Sequence, residues 1–270
     1  QNSLNDNDAY LIYAHKDIFL LKSLLTQIDS EHNDIFLHID IKSDLRNKLN
    51  EIKSVLKKST IVLTASKDVQ WAKFSQVEVE TELFEAASKK FHVYYHLISG
   101  QDLLLKPAKK IRQELIEKYG VQYLTYREYT EGPDYRITKP SLLMQYFGAS
   151  YSRYNWCSLT HSAVKYLLSK KEQYYAVFKS GDNTDENYKQ TVLVNSQSFR
   201  FEEYLTEVNL PDQELHPMIY NISHVDLLKN SQKMFARKFD STYDKEIIEW
   251  VLDQTLEKRI QIKKKKKKDQ

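Results

Sequence analysis

Strand-like and helix-like patterns alternate along the first half of this chain, and that order predicts a single α/β domain with a mostly parallel central sheet. Three observations carry the expectation. Short apolar runs of strand length recur at Ala9-Tyr-Leu-Ile-Tyr-Ala-His15, Asp34-Ile-Phe-Leu-His-Ile-Asp40, Thr60-Ile-Val-Leu63 and residues 91–98. Segments with apolar residues at helical spacing lie between them. Polar groups gather where three of these runs end, at His15, at His38 with Asp40, and at Ser99-Gly-Gln-Asp102. Ligands of open α/β sheets sit beyond the carboxyl ends of the strands. These positions are therefore the first candidates for a site, although a capping or packing role is the ordinary alternative for each.

Taken in order, the first helix is expected over residues 17–29, where Leu20, Leu21, Leu24, Leu25 and Ile28 recur every three or four residues. A second is expected over 45–56. A long helix over 75–89 opens on Ser75, with Glu78 three residues on as a capping box. Pro107 suits a helix start and Gly120 a helix end, which brackets a fourth. The second half is less regular. It reads as a loop rich in Gly, Pro and charge over 128–140, an aromatic, helical stretch over 142–154, and helices over 160–171 and 184–195. An extended segment follows over 204–220, broken by Pro211 and Pro217. A short helix is expected over 225–235 and an amphipathic one over 244–260, with Ile247, Ile248, Val251, Leu252 and Leu256 on one side.

Composition bounds the function. With 270 residues and 41% hydrophobic content, the chain can fill the core of one large domain. Its net charge is +3, but six consecutive lysines begin at Lys263 and end at Lys268. Subtracting these six from +3 leaves about −3 for the rest, so the body is no basic platform and no nucleic-acid partner is expected. Six adjacent ammonium groups repel one another and are expected to be disordered. They form either a solubilising tail or an attachment to an anionic membrane surface. Cys157 is the single cysteine, which excludes an internal disulfide framework and a cysteine zinc site and fits a reducing compartment. No apolar run is long enough to span a bilayer and no signal peptide is visible. The sequence opens on Gln1 rather than Met, so the lack of an anchor carries little weight.

Neither a G-x-G-x-x-G nor a Walker A pattern is present, and there are only five Gly. A phosphate ligand would then need cationic side chains or a metal. His38 and Asp40 supply two metal ligands from one strand without an obvious third, and only Asp102 ends the 91–98 run, so no divalent metal is expected. The cationic route is better supplied. Arg237 and Lys238 sit between Phe235 and Phe239, either as a solvated pair or as cations that neutralise a diphosphate. Asp185 and Glu186 follow Thr184 at the head of an expected helix. They either complement the helix dipole or supply a general base for an acceptor hydroxyl.

The pieces resemble, in order along the chain, the core-2/I-branching N-acetylglucosaminyltransferase family, which includes the peptide O-xylosyltransferases. The resemblance runs through Tyr10-Leu-Ile-Tyr-Ala-His15, Leu37-His-Ile-Asp-Ile-Lys-Ser43, Trp71-Ala-Lys-Phe-Ser75 and Tyr94-Tyr-His-Leu-Ile-Ser-Gly-Gln-Asp-Leu103. It continues through Asn155-Trp-Cys-Ser-Leu-Thr160, Asp185-Glu186 with residues 191–196, and Phe235-Ala-Arg-Lys-Phe-Asp240. The resemblance implies a GT-A-like fold and inverting transfer from a UDP-sugar without metal or other cofactor. It implies Glu186 as the base and Arg237 and Lys238 on the donor diphosphate. Ala14, His15 and Asp40 would line the nucleoside pocket, and Asp102, Asn155, Trp156, Trp71 and Asp185 would lie near the sugar or acceptor. It divides the chain into a catalytic domain over 1–242, an amphipathic helix packed on it over 243–262, and a polybasic tail over 263–270.

Three departures stand out. Ala72 occupies a position where the family often has Gly, Asn155 lies at a variable position near the sugar, and the many cysteines of the eukaryotic enzymes are missing. They point to a bacterial, cytoplasmic member, peripheral at the inner face of the membrane. Its acceptor would be a glycan, a lipid-linked oligosaccharide or a glycoprotein. Two other readings fit the residues: a non-catalytic carbohydrate or polyanion-binding module on the same fold, and a metal-dependent hydrolase using His38, Asp40 and Asp102.

Overall fold

The computed structural model describes residues 6–129, 139–211, 214 and 216–270, so most of the loop expected over 128–140 lies outside the described residues. Its first half follows the alternation read from the sequence: β1 (Asp8–Ala14), α1 (Ile18–Ile28), β2 (Asn33–Ile39), α2 (Leu49–Ser54), β3 (Thr60–Leu63), α3 (Phe74–Ala87), β4 (Tyr94–Ser99), β5 (Asp102–Leu104), α4 (Ala108–Glu117) and β6 (Val121–Tyr123). The rest comprises β7 (Arg127–Glu128), α5 (Pro140–Tyr146), β8 (Tyr151–Ser152), β9 (Cys157–Thr160), α6 (His161–Ser169), α7 (Lys171–Phe178), α8 (Tyr188–Asn195), β10 (Arg200–Glu202), β11 (Thr206–Val208), α9 (Val225–Asn230), β12 (Phe235–Arg237), α10 (Lys245–Thr255) and α11 (Glu257–Lys268).

Seven strands form the main sheet in the order β10-β6-β9-β4-β1-β2-β3. β1 pairs in parallel with both β2 and β4, while β9 runs antiparallel between β4 and β6. The sheet is buried on both faces, and the alternation of side chains along a strand divides its residues between two cores. Tyr10, Ile12 and Ala14 of β1 join α1, α4 and α10 on one face. Ala9 and Leu11 join α3, α6, α7 and α8 on the other. Leu20, Leu21, Leu24, Leu25 and Ile28 of α1 are fully buried, each contributing roughly 1.5–3 kcal/mol through removal of apolar surface from water. Ile247, Ile248, Val251 and Leu252 of α10 pack into that same core.

Strand order reverses at β1, with β2 and β3 on one side and β4 on the other. The carboxyl ends of β1 and β4 meet there. Gly100 follows β4 so closely that a Cβ would come within 2.8 Å of the Ala14 Cβ, and its N–H donates to the Tyr13 carbonyl at 3.1 Å. A second sheet, β11-β12-β5, lies against this end. Its β12–β5 pairing is antiparallel and sets Arg237 opposite Asp102.

Several expected elements are reshaped. The 45–56 helix is a 3-10 segment, Asp44–Lys48, followed by α2. The capping box of α3 does not form. Ser75 Oγ instead accepts from the Gln70 N–H at 2.9 Å, and Glu78 meets Lys67 at 3.5 Å. The 142–154 stretch is helical only to Tyr146 before β8, and the 160–171 helix divides at Lys170 into α6 and α7. The 225–235 helix stops at Asn230, because Phe235 to Arg237 extend to pair with β5 and β11. The terminal helix breaks at the extended Leu256, and the lysine run, expected to be disordered, continues α11 with its side chains exposed. No helix among the described residues is long and apolar enough to cross a membrane.

Candidate active site

A cavity of about 800 Å³ opens where β1 and β4 end. Its lining brings together Ala14, His15, Asp40, Trp71, Asn155, Trp156, Asp185, Glu186, Arg237 and Lys238. Ten of the eleven residues singled out from the sequence thus share one cleft, drawn from segments more than 200 positions apart. Asp102 is the exception.

The 184–195 segment, expected as one helix, is split. Thr184–Glu186 forms a separate 3-10 turn, and Asn187 breaks the path before α8 begins. The acids therefore do not sit in the first turn of a long helix, and the simple dipole explanation for them is lost. The turn is held from both ends. Asn183, in a left-handed conformation with φ 51°, donates its N–H to the Ala72 carbonyl at 2.8 Å, and the Arg153 N–H donates to the Glu186 carbonyl at 3.0 Å. Ala72 is itself left-handed with φ 60°. Glycine adopts this conformation without strain and alanine only at a cost, which is why such a position favours Gly. Asp185 is only 7% exposed. Burial raises its pKa to about 7, with Glu80 and Glu186 adding to the effect and Lys189 opposing it. Glu186 is half-buried in the cavity wall.

Arg237 is held by two partners. Its Nε lies 3.6 Å from Asp102 Oδ1, and its guanidinium carbon sits 4.2 Å from the Trp156 ring centroid. A cation over an indole face gains about 0.5–2 kcal/mol according to its desolvation. Trp156 stacks in turn on Tyr13 at 5.5 Å. Lys238 beside it is half-buried, and its pKa is pushed down by desolvation and then by Arg237. Two cations confined this way favour an anionic ligand that restores the balance of charge.

Asp102 corrects one expectation. It is fully buried, accepts from the Ser99 N–H at 3.0 Å and the Ser99 hydroxyl at 2.9 Å, and does not line the cavity. It pairs with Arg237 from behind and is absent from the cavity lining, where the expectation had placed it. Burial raises its pKa, while Arg237 and the Ser99 bonds oppose that. Asn155 does line the cavity, but its amide is committed. Nδ2 donates to the Tyr13 hydroxyl at 2.7 Å and Oδ1 accepts from Lys189 Nζ at 2.6 Å. Trp71 remains 66% exposed at the rim, with its ring 5.2 Å from that of His216.

The groups weighed as a hydrolase metal site are also engaged. His38 Nε2 accepts from the Lys67 N–H at 3.0 Å, and burial lowers its pKa to about 4. The Asp40 carboxylate accepts from the N–H groups of Lys42 at 2.9 Å and Val69 at 3.0 Å, which pins the loop after β3. Among the described residues, no group of three or more His, Cys, Asp or Glu side chains is placed to hold a metal ion. Burial pushes the Cys157 thiol up to about 12, which leaves it a packing group.

Sequence reasoning missed Tyr13, Glu80, Tyr188 and Lys189, which form the hydrogen-bonded floor under the acid turn. The short apolar run at 9–15 placed Tyr13 in a buried strand but gave no cue to its hydroxyl. Lys189 carries the opposite of a cue, since a lysine in a helix ordinarily points to water.

The chain matches the family model described as Core-2/I-Branching enzyme over residues 9–234, ending just before β12. No curated protein matches the chain by sequence. Among solved structures, S. aureus TarS 1-349 in complex with UDP-GlcNAc is similar at a TM-score of 0.39 and 8% identity, over 70% of this chain and 54% of that one. The same protein with UDP gives a TM-score of 0.40 at 10% identity, over 70% and 55%. The chain thus spans about half the length of those TarS structures. Apo mouse xyloside xylosyltransferase 1 gives a TM-score of 0.39 at 10% identity, over 85% of this chain and 96% of that one.

The position of Asp185 has a measurable consequence. Its folded-state pKa, about 7, lies above the ordinary 3.8, so the folded chain holds this proton more tightly than the unfolded chain. That contribution is whole below about pH 4 and is lost as pH rises through about 7. Asp185→Asn is expected to leave the melting temperature little changed near pH 4 and to raise it near pH 8, by up to about 4 kcal/mol of stability. A difference between the two proteins that does not vary with pH would contradict this assignment.

Proposed function

The chain belongs to the Core-2/I-Branching enzyme family, a family of glycosyltransferases, and from that premise we propose that it is an inverting, metal-independent, GT-A-like enzyme acting on a UDP-sugar. One observation carries the reading: the acids Asp185 and Glu186 and the cations Arg237 and Lys238 line a single cavity at the carboxyl ends of β1 and β4. Inverting transfer needs that combination. A base must take the proton of an acceptor hydroxyl, and positive charge must meet the leaving diphosphate.

Glu186 is the base in this reading. Its carboxylate removes the proton as the acceptor oxygen forms its bond to the anomeric carbon. The bond from that carbon to the diphosphate oxygen breaks, and Arg237 and Lys238 neutralise the charge that develops there. Preorganised cations act without rearrangement during the step, and Arg237 is already fixed by Asp102 and Trp156. Ala14, His15 and Asp40 border the nucleoside end. Trp71, exposed at the rim, offers a flat apolar face to a sugar ring, whereas the Trp156 ring is engaged by Arg237 and Tyr13. The acceptor is a hydroxyl of a glycan, a lipid-linked oligosaccharide or a glycoprotein. Glu186→Gln is expected to lower turnover by about 10²–10⁴-fold while leaving UDP binding by calorimetry intact. The parent enzyme should keep its rate in EDTA. Near-normal turnover of the variant would remove Glu186 from the mechanism, and a strict requirement for Mn²⁺ or Mg²⁺ would contradict the metal-free reading.

A peripheral, cytoplasmic location on an anionic membrane belongs to the same proposal. The lysines of α11 are exposed, and each lysine near an anionic leaflet contributes about 1 kcal/mol, lost as salt rises. The full chain should co-sediment with vesicles containing phosphatidylserine at low salt, and a chain cut after Ile262 should not. Equal binding of the two would dismiss the lysine run as the attachment.

A further inference from the structure

Glu80 of α3 and Lys189 of α8 are both fully buried, and their Oε1 and Nζ atoms lie 2.6 Å apart. Neither lines the cavity, and the chemistry above uses neither. Two charges removed from water are costly unless every donor and lone pair finds a partner. Here the ammonium places all three of its protons: on Glu80 Oε1 at 2.6 Å, on Asn155 Oδ1 at 2.6 Å and on the Asp185 carbonyl at 2.9 Å. Glu80 Oε1 also accepts from the Tyr188 hydroxyl at 2.9 Å, and its other oxygen meets the Tyr13 hydroxyl at 3.5 Å.

Two of the three ammonium bonds lead to the cleft. One grips the backbone of the acid turn itself. The other holds Asn155, whose amide donates to Tyr13, and Tyr13 stacks on Trp156 beneath the Arg237 guanidinium. Acid wall and cation wall are therefore tied to one buried nitrogen. Replacing a buried ion pair by a hydrophobic pair of the same volume is often neutral or stabilising, so stability alone gives little reason for this one. Such a replacement would leave the Asp185 carbonyl without that donor and release Asn155.

We propose that Lys189 is a positioning residue for the transfer reaction: its buried ammonium, set by Glu80, fixes the Asp185–Glu186 turn in register with Arg237. The proposal rests on the glycosyltransferase reading, and Lys189 acts through the Asp185 carbonyl and Asn155 rather than on the substrate. The charges around Asp185 fit this arrangement, since Glu80, Glu186 and Lys189 all act on its carboxyl group, with Tyr13 at its side.

The test removes both charges together. Lys189→Met alone strands a buried carboxylate and is expected to melt early. The double variant Glu80→Gln with Lys189→Met leaves no unpaired charge and should melt well above Lys189→Met alone. In that variant, turnover is expected to fall about 100-fold, the effect of a displacement on the order of 1 Å, with UDP affinity unchanged. Backbone hydrogen exchange over residues 183–187 should quicken. A stable double variant with parental turnover and parental exchange would reduce the pair to a packing feature and overturn the proposal. If the parent transfers no sugar from any UDP-sugar tried, the glycosyltransferase reading fails. Exchange over 183–187 then still decides the clamp: quickened exchange upholds it and unchanged exchange overturns it. Should the double variant not fold, parent protein labelled with 15N-lysine gives the answer. One ammonium signal protected from exchange with water is expected, and complete loss of protected lysine signals would overturn the proposal.

Discussion

A carboxylate and an ammonium sealed away from water, Glu80 and Lys189, tie the two halves of this molecule together beneath the cleft. Breaking such a pair by removing one member is expensive, about 3–5 kcal/mol, because the other charge is left stranded. The pair joins α3, from the regular first half of the chain, to α8, from the irregular second half. Its hydrogen bonds spread to Asn155, Tyr13 and Tyr188, so the elements that must agree on the shape of the site are linked by short, directional contacts rather than by apolar packing alone. The acid turn rests on this floor and is clipped laterally to Ala72 and Arg153.

The cations of the cleft are placed by a different device. Arg237 is placed by backbone pairing: β12 runs antiparallel to β5, and the register sets Arg237 against Asp102. Asp102 follows β4 after a tight turn that only Gly100 allows, given the 2.8 Å approach to Ala14. Strand order, a glycine and a buried counter-ion thus converge on one guanidinium. Its remaining face meets Trp156, which brings the cation wall back into contact with the Tyr13 network. Both walls are consequently built before any ligand arrives, which is what electrostatic stabilisation of a departing diphosphate requires.

Much of the fold was legible because its cues are local. The apolar run at 9–15, the spacing of Leu20 to Ile28, and Pro107 with Gly120 each speak for their own segment, and the structure places elements at each. The candidate site was legible as a set of residues that share one cavity, because polar groups follow strand ends and because the motif order resembles a family. What stayed hidden depends on distant partners. β9 is a four-residue strand whose only advertisement is its position between β4 and β6. Phe235 to Arg237 carry no strand cue until β5 lies beside them. Lys189 reads as a surface residue until Glu80, more than a hundred positions earlier, is seen to bury with it. Asp102 was assigned to the ligand for the same reason, since nothing in the sequence shows that Arg237 stands in front of it.

The central proposal is that an acid on the 184–186 turn activates the acceptor for direct displacement at the anomeric carbon while Arg237 and Lys238 receive the diphosphate. Stereochemistry tests it most directly. Proton NMR of the glycoside formed from an α-linked UDP-sugar, read through the anomeric coupling constant, should show a β-linkage. An α-linked product would mean retention of configuration, and a single displacement assisted by Glu186 would then be the wrong mechanism.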